Sequence, residues 1–295
     1  MNPYQEYAVM VLCAADVDTL WHQLNPSTAA TVDFPAAGDE KYAYVTNAYW
    51  TALAQLRCND DFFSDGANTY YGLLLRCHTA FAQFQVGDYL VAVRGTMDQE
   101  EWENDALAVV KIASPSGVGQ VGEGFWKVYA SMTLNDLSGA NGKANPAQAI
   151  AAVAQATPGR VFVTGHSLGA ALSTYLAADL QTALAGVGVD VAAAFSPYFF
   201  ASPMTGTQDY VNHYQSTVVT YTLVNYALDI VPAVPPALLG FCALNGGGPT
   251  HDVHTIPPLP RGALTPPTIP NNHSPVGYAR MLDPANAEAL RLPVP

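Results

Sequence analysis

Gly165-His166-Ser167-Leu168-Gly169 sets a serine between two glycines, after the Val/Phe run Arg160 to Thr164 and before an Ala/Leu-rich stretch to Ala183. Strand, tight glycine turn and helix form the arrangement that lifts a serine hydroxyl above a sheet edge as a nucleophile, the glycines leaving room for the strained turn. The helix that follows aims its N-terminal N–H groups and the positive end of its dipole at the place where an oxyanion would form. A capping serine in a glycine-rich turn is the plainer reading, and the flanking elements weigh against it.

A serine hydroxyl attacks only when a base takes its proton and an acid orients the base. On a sheet of this kind the chain order is Ser, then Asp or Glu, then His. The aspartates after Ser167, the candidates for the acid, are Asp179, Asp190, Asp209, Asp229, Asp252 and Asp283. Asp229 follows the β-rich run Thr217 to Val224 and precedes Val231-Pro232, so it sits on a loop leaving a strand's C-terminal end, where open α/β sheets gather their sites. Asp179 falls in the helix, and Asp190 opens a strand at the far end. A turn-forming Asx before proline-rich chain is the bland alternative for Asp229. His251, His254 and His273 are the histidines that follow. Asn271-Asn272-His273-Ser274-Pro275 puts His273 on a polar loop ahead of a short helix, Pro275 to Leu282, and spacing leaves the choice among the three open.

The elements that must hold these groups read as α/β. Asp39 to Cys58 carries Tyr42, Val45, Tyr49, Trp50, Leu53 and Leu56 at three- and four-residue intervals, which predicts an amphipathic helix packed on a sheet. Tyr42, Tyr49 and Trp50 are expected in the core rather than in an acyl pocket. Thr79 to Phe84 and Tyr89 to Val93 predict a hairpin about Val86-Gly87-Asp88. Ala147 to Thr157 predicts a helix behind Pro146, and Val189 to Phe195 a strand ending at Ser196-Pro197. Between Val231 and Pro270, recurring prolines exclude regular helix or central strand over most of the stretch, and the expectation is an ordered irregular segment. The reading is one domain over residues 1–295, with residues 1–70 a helical extension without an assigned role.

Composition excludes several partners. Eleven Lys and Arg against 24 Asp and Glu give a formal charge of −13, so the chain offers no basic stripe for nucleic acid or anionic membrane. Half of the residues are hydrophobic and 12% are charged, the opposite of a disordered chain. No apolar run reaches the roughly 18 residues of a membrane span. Met1 to Leu20 lacks the basic start of a secretory signal, which fits a cytoplasmic protein, or export with the signal removed or by another route. Cys13, Cys58, Cys77 and Cys242 form no CxxC pair; four cysteines allow three disulfide pairings, and small buried thiols are expected.

Taken in order, several blocks resemble the class 3 lipase family, the α/β-hydrolases related to fungal triacylglycerol lipases. Val91-Ala92-Val93-Arg94-Gly95-Thr96 is similar to the family's strand ending in Arg-Gly-Thr or Arg-Gly-Ser. Trp102 with Asp105, Gly124-Phe125 with Tyr129, Gly165 to Ala171, Asn225 to Pro232, and His273 with Tyr278 match the blocks that follow. The similarity runs over roughly residues 75 to 282, and the ordered set is far more specific than the serine turn alone. Two blocks depart from the pattern: Gly122 stands where the family usually has His, and Phe195-Ser196-Pro197-Tyr198 is shortened and lacks an Arg. Substrate preference is therefore not inherited.

The resemblance implies an α/β-hydrolase fold with a mixed, mostly parallel sheet flanked by helices. It implies Ser167 as nucleophile, Asp229 as acid and His273 as base, with Thr96 and Leu168 forming the oxyanion hole, and no metal or organic cofactor. Residues 97–112 correspond to the family's lid, with Trp102, Leu107 and Val109 as its apolar side. Asp98, Glu100, Glu101, Glu103 and Asp105 make that segment acidic, so adsorption to neutral or zwitterionic lipid is expected over anionic lipid, unless the face is merely solvated. The expected activity is hydrolysis of acylglycerol or related lipid esters through an acyl-enzyme. A phospholipase or a short-chain esterase is the near alternative, and a catalytically silent scaffold binding an apolar ligand the distant one.

Overall fold

A computed structural model describes residues 3–23, 32–39, 41–60, 66–95, 110–245, 250–258 and 272–284. In chain order the elements begin with α1 (Pro3–Gln23), β1 (Trp50–Asp60), β2 (Gly66–Cys77), β3 (Tyr89–Val93), β4 (Lys111–Ala113), β5 (Gln120–Gly122) and α2 (Glu123–Ala130). There follow β6 (Thr133–Asn135), β7 (Lys143–Ala144), α3 (Pro146–Ala156), β8 (Val161–His166), α4 (Leu168–Gly186), β9 (Phe195–Phe200), β10 (Gly206–Thr207) and α5 (Gln208–Thr217). The last are β11 (Tyr221–Tyr226), β12 (Phe241–Cys242), β13 (His251–Ile256) and α6 (Pro275–Leu282).

Among the described residues the central sheet has nine strands in the order β13-β11-β9-β8-β3-β2-β1-β6-β7. From β13 to β3 the neighbours run parallel, and from β3 to β7 antiparallel. A smaller sheet joins β12, β10, β5 and β4. β3 is buried at every position, as a strand covered on both faces must be. Tyr89, Val91 and Val93 pack with Leu172 and Leu176 of α4 and Ile150 of α3. Leu90 and Ala92 point the other way, against Val11 and Leu12 of α1 and Tyr278 of α6. The unbroken buried run from Tyr7 to Val11 and on through Ala15 lets α1 bury nearly its whole circumference.

The parallel strands present their C-terminal ends together. β3 leads into Arg94-Gly95, β8 into Ser167 and β11 into Asp229. The sequence expectations for α3, β8, α4 and α6 agree with the structure to within about three residues at each end. Tyr42 and Trp50 are buried in the core, and Tyr49 stacks on Phe81.

Four expectations are corrected. Asp39 to Cys58 is not a helix: turns lead into β1 at Trp50, so the described residues before position 70 hold α1 and then strand rather than a purely helical extension. The three- and four-residue spacing is coincidental there, and Trp50, Ala54, Leu56 and Cys58 are buried at the even positions of a strand. Pairing with β2 decides the matter, since strand preference yields to context more readily than helix preference. Thr79 to Phe84 is a loop with one isolated bridge, Phe81 to Phe84, and the antiparallel partner of β3 is β2. Ser196-Pro197 lies within β9, which starts at Phe195 after a single helical turn. Pro197 is tolerated where pairing with β11 has not begun, the first partner there being Tyr198. Finally, the proline-rich stretch holds a six-residue edge strand, β13, between Pro249 and Pro257.

Candidate active site

Ser167 adopts φ 59° and ψ −127°, a region that side chains other than glycine rarely visit. Its surroundings impose that conformation. The Ser167 N–H donates to the Phe200 carbonyl at 3.0 Å, which ties the turn to β9. A Cβ at Gly165 would lie 2.3 Å from the Gly169 carbonyl oxygen, and one at Gly169 would lie 2.4 Å from that of Arg94. Both positions therefore require glycine, and the turn closes with the Ser167 side chain at the sheet edge. Leu168 opens α4, so its N–H belongs to the first helical turn, where no intrahelical acceptor exists.

Three side chains from distant parts of the chain meet here. His273 Nε2 is 2.8 Å from Ser167 Oγ, and His273 Nδ1 is 2.8 Å from Asp229 Oδ2. Asp229 accepts, so Nδ1 carries the proton and Nε2 turns its lone pair to the serine hydroxyl. Asp229 Oδ1 accepts the Val231 N–H at 3.0 Å, and Oδ2 also accepts the Tyr278 hydroxyl at 2.7 Å. The Tyr278 oxygen in turn accepts the Tyr226 N–H at 2.9 Å. Asn272 ties the base's own loop to Leu228 through a 3.1 Å bond to its carbonyl. All three members of the triad are buried, so their attraction is little screened.

Two neighbours were not legible as functional. Tyr278 stood out only as part of a matching block. Burial and Asp229 hold its hydroxyl well above the usual phenol range, which keeps it a donor. His166 carries no assignment of its own within the serine turn. Its ring lies 4.6 Å from that of His273, and burial, then the nearby His273, push it well below the ordinary imidazole range. It therefore stays uncharged beside the base.

The other candidates fall elsewhere. His251 bonds the Val218 carbonyl at 2.7 Å and stacks on Tyr221, and His254 pairs with Asp252 at 2.8 Å. Asp179 takes the Tyr129 hydroxyl, while Asp190 caps the helical turn before β9. Asp209 sits in the first turn of α5 and Asp283 follows α6. Cys13, Cys58, Cys77 and Cys242 are all free thiols, the first three buried. Thr96 and the lid segment up to Val109, with Trp102 and Leu107, lie outside the described residues. No helix among the described residues is long and apolar enough to cross a membrane.

Comparison with known proteins places this geometry. The family described as Lipase (class 3) matches residues 90–239, just over half of the chain. A phospholipase A1-II 3 of Oryza sativa subsp. indica is 30% identical over 167 residues, a match covering 51% of this chain and 39% of that protein. The chain thus spans about two fifths of the length of the curated relatives it matches. Among solved structures, a triacylglyceride lipase of Rhizomucor miehei superposes with a TM-score of 0.59 at 20% identity, over 87% of this chain and 82% of that one. A lipase from Rhizopus microsporus var. chinensis gives 0.56 at 21% identity, over 82% and 72%. The fold is that of the α/β-hydrolase lipases.

Proposed function

The chain belongs to the class 3 lipase family, and from that premise we propose that it hydrolyses carboxylic esters of acylglycerol or related lipids through an acyl-enzyme. The observation that carries the reading is the unbroken hydrogen-bonded chain from Ser167 Oγ through both nitrogens of His273 to Asp229. Oγ attacks the ester carbonyl carbon as its proton passes to His273 Nε2. The imidazolium so formed faces the Asp229 carboxylate, which stabilises it and fixes its orientation. Negative charge gathers on the former carbonyl oxygen, for which the N–H groups of Leu168 and Thr96 are the proposed donors, each worth about a hundredfold or more in rate. Collapse expels the alcohol, which takes the proton from Nε2. A water then attacks the acyl-enzyme with His273 again as base, releasing the fatty acid and restoring Ser167.

Residues 97–112 serve as the lid in this reading. Their five carboxylates favour a neutral or zwitterionic lipid surface over an anionic one. A second reading, hydrolysis of a phospholipid's acyl ester, draws support from the phospholipase A1 relative at 30% identity. A fluorophosphonate probe tests the chemistry: Ser167 is labelled, and Ser167→Ala loses both labelling and esterase activity. An active, or still labelled, Ser167→Ala protein would sink the proposal. Triacylglycerol emulsion against phosphatidylcholine vesicles then separates the two substrate readings.

A further inference from the structure

β8 ends on His166, which is 6% exposed. Thr164, two positions earlier, donates its hydroxyl to the Met10 carbonyl of α1 at 2.8 Å, and strand alternation turns His166 to the same face, toward α1 and α6. The His166 ring centroid lies 4.6 Å from that of His273, with the planes tilted by 39°, and 5.7 Å from that of Tyr278, edge to face at 78°. The His166 side chain also hydrogen-bonds the His273 backbone, while its Nε2 has no partner among the described residues. Nδ1 is therefore the bonded nitrogen, donating to the His273 carbonyl.

A buried nitrogen without a partner is costly, and phenylalanine or asparagine would fill the place without it. The imidazole combines what neither of them supplies, an N–H for the backbone of the base and an aromatic face for its ring. His273 becomes a cation when it takes the proton of Ser167, and an aromatic ring within about 6 Å attracts a cation. The attraction lasts only while His166 carries no charge of its own. Burial, then the nearby His273, hold His166 well below the ordinary imidazole range and so keep it neutral. The carboxylates of α1, which packs on this face of β8, are placed elsewhere: Glu6 accepts from Tyr198, Asp16 from the N–H groups of Tyr44 and Val45, and Asp18 lies by Tyr70. On α6 the Tyr278 hydroxyl donates to Asp229.

We propose that His166 is a positioning residue for the base, holding the His273 carbonyl through Nδ1 and presenting its ring to the imidazolium that forms in each acyl-transfer step. The inference rests on the ester-hydrolase reading above. His273 is then held on three sides: Asp229 at Nδ1, Ser167 at Nε2 and His166 against the ring.

Two measurements test it. In two-bond 15N spectra of the 15N-labelled parent chain, His166 should appear as the neutral tautomer protonated at Nδ1 throughout about pH 5 to 9. A His166 that titrates in that window, or carries its proton on Nε2, overturns the inference. The second measurement follows kcat and KM on p-nitrophenyl butyrate against pH, with thermal melting alongside, in His166→Asn and His166→Phe. Asparagine keeps a donor near the position of Nδ1 and loses the ring, so the imidazolium is less stabilised. The acid limb of kcat/KM is expected to move lower by about one pH unit and kcat to fall about three- to tenfold. Phenylalanine keeps a ring and loses the donor: the acid limb stays at the parent value while kcat falls about three- to tenfold with KM within about threefold. Parent-like kcat and acid limb in both variants overturn the inference, as does a loss of kcat in His166→Asn with the acid limb unmoved, the mark of a merely structural role. If neither variant folds, the spectra of the parent chain decide. Ser167→Ala separates the two levels: activity surviving there refutes the hydrolase reading, whereas an inactive Ser167→Ala beside parent-like His166→Asn and His166→Phe refutes only the role of His166.

Discussion

Tyr278→Phe separates what stabilises the triad from what makes it react. The side chain is fully buried, and phenylalanine keeps its ring and volume, so the change removes one oxygen and leaves no room for a compensating water. Two hydrogen bonds go with it: the 2.7 Å donation to Asp229 Oδ2 and the 2.9 Å acceptance from the Tyr226 N–H. The first goes to a carboxylate and is worth about 1.5–3 kcal/mol; the second leaves a buried N–H without a partner, at about 1–3 kcal/mol. A loss of about 3–5 kcal/mol is expected, or a fall in Tm of roughly 6–15 °C on the scaling for domains of this size. Turnover suffers far less, because Asp229 keeps His273 and the Val231 N–H. The expected fall in kcat is about tenfold, equivalent to about 1.4 kcal/mol. Calorimetry and p-nitrophenyl butyrate turnover on one preparation check both numbers. An unchanged Tm, or a kcat lost by a thousandfold, would refute the assignment of Tyr278 as a support for the acid.

Asp229→Asn leaves the geometry in place but favours the wrong imidazole tautomer, and kcat should fall by about four orders of magnitude, with a Tm close to that of the parent. His254→Ala breaks the contact with Asp252 far from Ser167, so kcat is expected to stay at the parent value, while His273→Ala abolishes it; the reverse pattern would move the base. Asp16 is pushed up to about 7 by burial, against two N–H donors from Tyr44 and Val45; because its folded-state value is raised, its contribution is full below the unfolded carboxylate range and is lost as pH rises from about 4 to 7. Asp16→Asn can accept both N–H groups on one oxygen, as Asp16 Oδ2 does, so a Tm series should be flatter between pH 5 and 8 and higher at pH 8; an undiminished pH slope would place the titrating group elsewhere.

The site was more legible in the sequence than the scaffold around it. Gly165 and Gly169 announce the serine turn because their carbonyl contacts admit no side chain, a constraint that acts over five consecutive residues. Asp229 follows from chain order and from its position after a strand, whereas spacing leaves three histidines open and His273 comes from the family resemblance. Asp39 to Cys58 misled because its apolar spacing fits a helix, whereas the pairing partner of β1 lies in residues that carry no signal of their own within that window. The expected strand ends at Ser196-Pro197 because proline lacks an N–H, a loss that costs little at Pro197, where one neighbour is not yet paired. Gln55 and Arg57 are buried polar groups on β1, with Gln55 bonded to the carbonyls of Asp136 and Leu137 and Arg57 to that of Asn68. No local pattern encodes partners so far away.

The bonds made by α1 join residues at opposite ends of the chain. Met10 meets Thr164 across 154 positions, Glu6 meets Tyr198 across 192 and Tyr7 meets Asp252 across 245, and α6, which follows the base, lies in the same packed layer. Contacts of such separation are the slowest to form. A chain emerging from the ribosome would hold its serine turn, with strand and helix in place, well before His273 had been synthesised. Acyl transfer is therefore expected to begin only once the first and last described helices have met. In refolding from denaturant, far-ultraviolet ellipticity should return ahead of esterase turnover, the interval measuring the time these two helices take to find each other.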